Sequence, residues 1–471
     1  MRKKVSLGII FVLFPLFMFN LIDFSRETDI WFIFSHGRYI LSNGFPHIEM
    51  LTMHSNLKFV MQQSGFSITM YFLYKYLGSV GVVAFVGIIN IAILFFLYKL
   101  CMVLSSNNRY FSFLFSSVID LFLIISFIIP RPQIISLLIF LILIYILEKY
   151  IRFNKREILF LPLLSLILIN MHASMWLMFF VLCMPYVLEL FTDHIRKKDK
   201  KIVKLIIIIF VSFLVGFINP YGYEAMFYSI NSYGVDLINK FILEMSHVDV
   251  FSAERMVVYN SYFYILLFII QLFIFIKSRK EYAIHEFLLF LGLSFMAFLN
   301  IRNISIFLIC SFPFIIKSIK KMFSTEIPIK VFIVGLLIIL MFFIYRGING
   351  SYKLTYKKID GALEYINNNY DKNIIMFNDF IDGPYLEYNH YRPYIDTRAE
   401  VFIKKMNKKK DIFAEYANVT TGKINYDKFI DEYNFKIFIV EEDSEIYKYL
   451  NNNSNYKNVY HDKYRYIYER K

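Results

Sequence analysis

Cysteine and tryptophan are scarce in this chain of 471 residues, which has three cysteines and two tryptophans. Cys101, Cys183 and Cys310 lie in or beside apolar runs, so their spacing fits neither a disulfide framework nor a zinc site. The sequence also lacks the GxGxxG, P-loop and HExxH motifs and an internal repeat of fixed period. These absences argue against a nucleotide-binding loop, a zinc hydrolase and a repeat protein.

Charged residues are also sparse, at 19% of the chain, whereas 58% of the residues are hydrophobic. This composition predicts an integral membrane protein with a water-exposed appendage. The formal net charge of +14 would by itself suit a nucleic-acid partner. The excess of Lys and Arg lies largely in short loops between apolar runs, where membrane topology explains it, and we expect no nucleic-acid partner.

The long apolar runs predict an α-helical polytopic membrane protein with about eleven transmembrane helices, each bounded to within about four residues. Several runs reach the roughly 20 residues that cross a bilayer core. The first run follows basic residues like a signal peptide, but it has no small-residue cleavage site and is expected to be retained. The predicted spans are 5–24, 79–98, 110–129, 132–149, 157–170, 174–191, 203–218, 258–276, 283–299, 303–316 and 329–345.

Basic residues mark one side of the predicted membrane. Lys and Arg concentrate at the N-terminus and in the short loops 99–109, 149–156, 196–204, 277–280 and 317–321. The positive-inside rule makes these loops cytoplasmic, in a plasma membrane crossed several times. The extracytoplasmic segments are then 25–78, Pro130–Pro132, Asn170–His172, 219–257, Asn300–Asn303 and the chain after about 346.

Two domains are predicted, a transmembrane domain over 1–345 and a small extracytoplasmic α/β domain over 346–471. In the outer loop 25–78, Asp29–Ile40 predicts an amphipathic helix at the membrane interface, and 64–77 predicts an interfacial or re-entrant helix. In the tail, the pattern predicts helices at Lys357–Asn369 and Tyr426–Tyr433, and strands at Asn373–Phe377, Tyr394–Asp396, Phe435–Val440, Val459–Asp462 and Arg465–Tyr468.

Carboxylates just outside the first span are the first candidates for chemistry. Glu27 and Asp29 can bind a divalent cation there, or accept a proton from an attacking hydroxyl. Alternatively, Thr28 or Asp29 simply caps the following helix. Farther along the chain, Glu244 is a candidate second carboxylate. Four titratable residues near Asp29 are expected to be ordinary surface groups, namely His36, His47, Glu49 and His54.

Three basic side chains are candidates for binding a phosphate. Arg131 lies between two prolines and can hold a phosphate with both arms of its guanidinium, or it can only anchor a helix end at the interface. Arg302 interrupts an apolar stretch, where an unpaired charge is costly. His172 can polarise a leaving phosphate or bond a backbone carbonyl. Since all three are predicted on the same side as Asp29, they favour an enzyme acting on a lipid-linked anion.

Short motifs follow one another along the chain. They are Asp29-Ile-Trp31, Gly37-Arg-Tyr-Ile-Leu41, Gly44-Phe-Pro46, Arg131-Pro-Gln133, Asn170-Met-His172, Asn219-Pro-Tyr-Gly222, Arg302-Asn303, Asn378-Asp-Phe-Ile-Asp-Gly-Pro-Tyr-Leu386 and Tyr394-Ile-Asp-Thr-Arg-Ala-Glu400. In this order they resemble bacterial multi-span proteins of the GT-C glycosyltransferase superfamily, close to the polyprenyl-phosphate-sugar-dependent, mannosyltransferase-like group.

The resemblance implies transfer of a sugar from a polyprenyl-phosphate donor to a glycan, lipid or protein acceptor on the outer face. It also implies that Asp29 is the base or a metal ligand, with Mg²⁺ or Mn²⁺ as the cofactor. The chain departs from the pattern at three places. The usual Trp beside Gln62-Gln63 is absent, Ala173-Ser-Met175 replaces small residues after His172, and Met245 follows Glu244 where relatives often have Trp.

The tail is predicted to recognise the acceptor as a lid over the outer mouth, with a purely structural cap as the alternative. Its candidate residues are Asp379, Asp382, Asp396 and Arg398. Two other functions stay open at this point. A polymerase or ligase of lipid-linked oligosaccharides would have a similar topology. A transporter or structural membrane protein would favour mid-span charges and inverted repeats, and Asp120 is the lone clear mid-span acid.

Overall fold

The computed structural model describes residues 27–197, 200–232, 236–249, 261–322 and 358–471. These residues belong to two compact units. The first unit contains the described residues of 82–229 and 238–322, and the second contains those of 27–81, 230–237 and 358–471. The segment around Asp29 and the C-terminal tail therefore belong to the same unit.

Helices make up most of the described chain before residue 323. They are α1 Asp29–Asn43, α2 Ser64–Leu104, α3 Arg109–Ser126, α4 Gln133–Phe153, α5 Leu161–Met171, α6 Trp176–Lys197, α7 Lys201–Leu214, α8 Tyr223–Met226, α9 Tyr228–Ser232, α10 Asp236–Phe241, α11 Ser261–Lys277, α12 Ile284–Leu299, α13 Ile304–Cys310 and α14 Ile316–Met322.

Local sequence explains several of the helix ends. Helix α4 starts after Pro132, whose φ of −54° suits the beginning of a helix, and it stops at Asn154, which adopts the left-handed conformation. Helix α2 is interrupted at Gly78, which has a φ of 61°. This left-handed φ is one that glycine adopts without a steric penalty. The predicted helix over 64–77 is thus the first stretch of α2.

Each predicted span that falls on described residues overlaps one of these helices, whereas 5–24 and 329–345 lie outside the described residues. By length and composition, four described helices can cross a membrane, or five if one bent pair is a single span. That pair, Ile301–Cys310 and Phe312–Ile319, bends by 40° beside Pro313 and replaces the straight helix predicted at 303–316. The total of eleven spans is therefore not confirmed.

The second unit contains a small mixed sheet in its C-terminal part. Its strands are β1 Met376–Asn378, β2 Ile437–Val440, β3 Tyr456–His461 and β4 Tyr466–Arg470, in the order β1-β2-β4-β3. Strands β1 and β2 are parallel, and the other neighbours are antiparallel. Every residue of β1 and β2 is buried, and all of them except Asn378 are apolar. The helices around the sheet are α15 Asp360–Asn369, α16 Gly383–Tyr388, α17 Lys404–Asn407, α18 Ile412–Thr420, α19 Tyr426–Tyr433 and α20 Glu445–Asn451.

The predicted elements of the tail are confirmed, apart from small shifts in their ends and one exception. The predicted strand Tyr394–Asp396 is wrong, because this segment has no strand partner. The side chain of Asn378 binds it instead. Its Oδ1 accepts a hydrogen bond from Tyr394 N, and its Nδ2 donates one to Ile395 O, both at 2.8 Å. A side chain therefore satisfies the backbone groups that a sheet would otherwise pair.

Helix α1 is confirmed, but its aromatic side chains Trp31, Phe32 and Phe34 are buried by protein. Trp31 is 3% exposed and Phe34 is fully buried. The Trp31 ring contacts Tyr385 and Tyr388 of α16 at centroid distances of 4.8 and 5.0 Å. These rings were predicted to lie at the membrane interface, but packing within the second unit accounts for them.

Candidate functional site

The first unit contains an arginine–glutamate cluster formed by Arg131, Glu244 and Arg302. Arg131 precedes α4, and its Nη1 donates to Oε1 and Oε2 of Glu244 at 3.2 and 3.0 Å. Nη2 of Arg302 donates to Oε1 of the same carboxylate. Two guanidinium groups thus share the carboxylate of Glu244.

Backbone contacts between two short loops position this cluster. Glu244 lies in the 3₁₀ turn Leu243–Met245, and Arg302 lies in the 3₁₀ turn Ile301–Asn303. Ile301 N donates to Ser246 O at 3.1 Å, and Val248 N donates to Phe298 O at 2.9 Å. The carboxylate and the guanidinium thus meet because the two loops lie side by side.

The cluster remains partly open to solvent. The side chains of Arg131, Glu244 and Arg302 are 20%, 15% and 24% exposed. Nε of Arg302 is buried, and no hydrogen-bond acceptor is found for it among the described residues. A buried N–H donor without an acceptor costs free energy, which an incoming oxygen atom would recover.

His172 lies near this cluster, close enough for the charge of Arg302 to act on its ring. It follows the last residue of α5 and is buried, and its Nδ1 is 2.6 Å from Ser136 Oγ. The sequence left open whether His172 bonds a backbone carbonyl, and its Nδ1 contacts a serine hydroxyl instead. The structure therefore brings together Arg131, His172, Glu244 and Arg302, four of the predicted residues.

Asp29 belongs to the second unit and is the first residue of α1. Thr28 makes no side-chain capping bond. The backbone N–H of Asp29 donates instead to Glu27 Oε1 at 3.1 Å, so Glu27 takes the role predicted for Thr28 or Asp29. Asp29 is half-buried and lies in the first turn, where the helix dipole stabilises a negative charge. That Asp29 and the two arginines act on one substrate stays a prediction.

The second unit is organised by a buried Arg398 network of five side chains. Arg398 donates to Asp396, Glu387 and Glu49, the last two at 3.0 Å. Its Nη1 also lies 2.8 Å from Nε2 of His36 in α1. Three carboxylates thus surround one cation, and all five residues are at most 4% exposed. The expectation that His36 and Glu49 are ordinary surface groups is wrong, as it is for His54, whereas His47 is exposed.

Burial controls protonation within this network. Burial, and then the negative charge of Asp396, hold the pKa of Glu387 well above its usual range. Burial and the charge of Arg398 hold the pKa of His36 well below its usual range. Glu387 therefore holds a proton, and His36 is neutral. Glu387 was missed from the sequence, although it directly follows the motif that ends at Leu386 and a helical turn places it beside Arg398.

Most of the predicted acceptor residues are also internal. Asp396 and Arg398 belong to the Arg398 network, and Asp382 is fully buried against Arg465, at 2.6 and 2.9 Å. Only Asp379 is partly open, with its side chain 13% exposed. Burial, and then the charge of Asp382, raise the pKa of Asp379 to about 8. Three of the four residues thus form an internal framework, and the acceptor prediction now depends on Asp379.

Among the described residues, one group of three side chains has the spacing of metal ligands. The ligand atoms of Glu148, His285 and Glu286 lie within 4.8 Å of one another. However, Glu148 already accepts from Arg152 and His285, at 2.7 and 2.8 Å, and Glu286 accepts from Arg152 and Lys317. Since protein cations neutralise both carboxylates, this group does not fit a metal. Asp29 belongs to no such group in the described chain.

Comparison with known proteins adds information on the fold alone. No protein-family model and no curated protein sequence matches the chain. Two solved structures of the oligosaccharyltransferase from Archaeoglobus fulgidus are similar to it. One carries a tethered acceptor peptide with the NVT sequon and has a TM-score of 0.63 at 10% identity, over 93% of this chain and 69% of that chain. The other, without ligand, has a TM-score of 0.62 at 9% identity, over 92% and 69%. The chain therefore has a fold similar to that of this archaeal oligosaccharyltransferase.

Proposed function

We propose that the protein is a membrane glycosyltransferase that transfers a sugar from a polyprenyl-phosphate donor to an acceptor on the outer face of a plasma membrane. The GT-C fold supports the reaction class. The arginine–glutamate cluster supports the choice of an anionic, phosphate-bearing donor. The predicted topology, with a cytoplasmic N-terminus, supports the side on which the reaction occurs.

The observation that carries the proposal is that two guanidinium groups meet at one partly exposed carboxylate, beside a buried N–H donor. Arg131 and Arg302 both donate to Glu244, and Nε of Arg302 has no acceptor among the described residues. Guanidinium groups bind phosphate through paired N–H donors, with more directional specificity than an ammonium group has. In the absence of donor, Glu244 holds the two arginines together and limits their repulsion.

In the proposed step, Asp29 accepts the proton of the acceptor hydroxyl while the hydroxyl oxygen bonds to the anomeric carbon of the sugar. The bond from that carbon to the phosphate oxygen breaks, and the electron pair leaves with the polyprenyl phosphate. Arg131 and Arg302 stabilise the charge that develops on the leaving phosphate. Attack opposite the leaving group inverts the anomeric carbon. His172 is proposed to contact the same phosphate, and Glu27 to orient Asp29 through the first turn of α1.

That Asp29 also binds Mg²⁺ or Mn²⁺ stays a prediction, and the proposed step uses Asp29 as the base. Its position at the N-terminus of α1, where the helix dipole favours a carboxylate, supports this role.

The direct test uses the full chain reconstituted in liposomes with a radiolabelled polyprenyl-phosphate sugar. We expect release of free polyprenyl phosphate, and its loss when Arg131 and Arg302 are both replaced by Gln. In cells, deletion of the gene should cause the lipid-linked sugar to accumulate in lipid extracts. Activity of the R131Q/R302Q protein equal to that of the parent would contradict the proposed donor site.

A second candidate is transfer of a whole lipid-linked oligosaccharide, as a polymerase, a ligase or an oligosaccharyltransferase. The observation that favours it is the fold shared with an archaeal oligosaccharyltransferase. The donor distinguishes the two functions. If the protein consumes only pyrophosphate-linked oligosaccharides and ignores monophosphate-linked sugars, the second candidate is correct. A transporter is less well supported, because mid-span Asp120 accepts from Asn90 at 3.4 Å and is thus explained by a polar partner within the protein.

A further inference from the structure

The second unit has an exposed surface in which apolar and basic side chains lie together. Its apolar part consists of Leu41, Phe45 and Ile48, which are 56%, 43% and 51% exposed. Its basic part is drawn from the sequence 404–410, which contains five lysines in seven residues. We name this the apolar–basic surface and define it by Leu41, Phe45, Ile48, Lys58, Lys404, Lys408 and Lys409.

Backbone pairing joins the two parts. Ile48 and Lys58 form an antiparallel bridge, so their exposed side chains lie on the same face. Lys58 N then donates to Asn407 O at 3.2 Å, which places the lysine-rich segment beside this bridge. Ile48 therefore lies beside the lysine-rich segment, and the exposed Phe45 and Leu41 precede Ile48 in the chain by three and seven residues.

The lysine-rich turn is held in place by the side chain of the buried Asn407. Asn407 is 1% exposed, and its Oδ1 accepts from Lys409 N at 2.8 Å and Lys410 N at 3.2 Å. Its Nδ2 donates to Val401 O and Lys410 O. Lys408 adopts a φ of 62°, a conformation that a residue with a Cβ enters at an energetic cost. The fold thus maintains a strained turn that exposes Lys404, Lys408 and Lys409 to solvent.

We propose that the apolar–basic surface docks the second unit onto a bilayer that contains anionic phospholipids. Lysines near such a surface are attracted by its negative potential, and Leu, Phe and Ile side chains partition into the region just below the headgroups. A soluble acidic glycan would satisfy the lysines but would leave the exposed apolar side chains in water. An anionic lipid surface both pairs with the lysines and removes the apolar side chains from water.

Chain connectivity supports a lipid partner. Helix α2 begins in the second unit and continues as an apolar stretch that is long enough to cross a membrane. The second unit is thereby tethered to the bilayer, so even weak lipid contacts form at a high effective concentration. This inference does not depend on the proposed transferase activity.

The test places a fluorophore on the surface in the full chain, reconstituted in nanodiscs. The described cysteines are buried, so an environment-sensitive thiol probe reacts chiefly with an introduced one. Phe45→Cys reports on the apolar–basic surface. Tyr464→Cys, at a 41% exposed position between β3 and β4 of the same unit, is the matched control. The quencher is a nitroxide lipid, in discs of phosphatidylcholine with or without phosphatidylglycerol.

We expect the lipid to quench the probe at position 45 several-fold more strongly than the probe at 464, and only when phosphatidylglycerol is present at moderate salt. Charge reversal at the surface, K404E/K408E/K409E, should abolish this difference. The matched reversal K436E/K457E/K463E alters three exposed lysines elsewhere in the unit and should leave it unchanged.

Equal quenching at both positions would overturn the proposal, as would quenching that ignores phosphatidylglycerol or the first charge reversal. If the probe at position 45 responds to added soluble polyanion in phosphatidylcholine discs but not to phosphatidylglycerol, the surface binds an acidic glycan instead. Activity in the sugar-transfer assay is not used, so failure here leaves the proposed function standing.

Discussion

The two arginine-centred clusters of this protein have opposite charge ratios and opposite exposure. In the arginine–glutamate cluster, two guanidinium groups share Glu244, and all three side chains are 15% to 24% exposed. In the Arg398 network, one guanidinium faces three carboxylates that are buried from solvent.

The difference separates the proposed donor site from a structural network. Two guanidinium groups in a partly exposed cluster can attract a further anion beside Glu244. A closed network with excess acid must take up a proton or lose stability, and it has no room for a ligand. Replacing an arginine should therefore affect donor binding in the first cluster and folding in the second.

The largest expected effect is on the stability of the second unit. Replacing Arg398 by Gln leaves Glu49 and Asp396 buried without their cation, and breaking a buried ion pair typically costs about 3–5 kcal/mol. In a Trp176→Phe background Trp31 is the remaining tryptophan, so its fluorescence reports unfolding of this unit in denaturant. Arg470→Gln is the control, because its pair with Asp431 is exposed and should change stability by about 1 kcal/mol or less. Equal effects of the two substitutions would contradict the assignment of a structural role.

The next effect is on catalysis. Asp29→Asn keeps the size of the side chain and removes the proposed base, so turnover should fall about 100-fold or more. The rate of release of polyprenyl phosphate measures this, and the amount of protein in the membrane should not change. Asp371→Asn, at an exposed position of the same unit, should leave the rate unaltered. Full activity of the Asp29→Asn protein would rule out Asp29 as the base.

A smaller effect is expected on donor affinity. Arg302→Lys keeps the positive charge but loses the planar pair of donors, at a cost of about 1.5 kcal/mol, or roughly tenfold in donor KM. The turnover number should change less than KM, and the unfolding curve of the first unit, followed by the fluorescence of Trp176 in a Trp31→Phe background, should stay in place. Arg279→Lys is a matched exchange at an exposed position. If Arg302→Lys instead destabilised the protein with no change in donor KM, the cluster would be structural like the Arg398 network.

The smallest effect concerns pH. Burial and the charge of Asp396 raise the pKa of Glu387, so the folded state keeps a proton that the unfolded state releases. The stabilisation of the folded state by protonated Glu387 is therefore complete below the ordinary pKa of glutamate. It is lost as the pH rises through the raised pKa of Glu387. Glu387→Gln mimics the protonated acid and should flatten this decline in Trp31 unfolding measurements. Glu364→Gln, at an exposed position, should keep the decline of the parent. A parent protein whose stability rises with pH in this range would contradict the protonation of Glu387.

Sequence patterns identified the helices and most strands because hydrophobic periodicity and capping residues are local signals. They failed at Tyr394–Asp396, where the apolar alternation of a strand is present but Asn378 binds the backbone. They also misjudged Glu49 and His36, which looked like surface groups. Both are buried only because Arg398 lies against them, and that contact joins residues separated by 349 and 362 positions.

The sequence predicted which residues belong to the candidate site, but it did not predict how they contact one another. Arg131, Arg302 and His172 were selected because a charged or titratable residue at the end of an apolar run needs a partner. Glu244 was expected to be a second catalytic carboxylate, whereas it is the partner of both arginines. The contact links positions 113 and 58 residues apart, and a single sequence contains no signal for such pairing.

The buried group of Glu148, His285 and Glu286 has a consequence for how the protein is made. Glu148 is synthesised together with Arg152, one helical turn away, but the rest of its partners arrive much later in translation. Glu286 in turn depends on Arg152 from an early helix and on Lys317 from a late one. Until α12 and α14 have both been made, Glu148 lacks His285 and Glu286 lacks Lys317. A chain truncated before residue 317 therefore cannot complete this ion network, which closes only when the last of its helices has been synthesised.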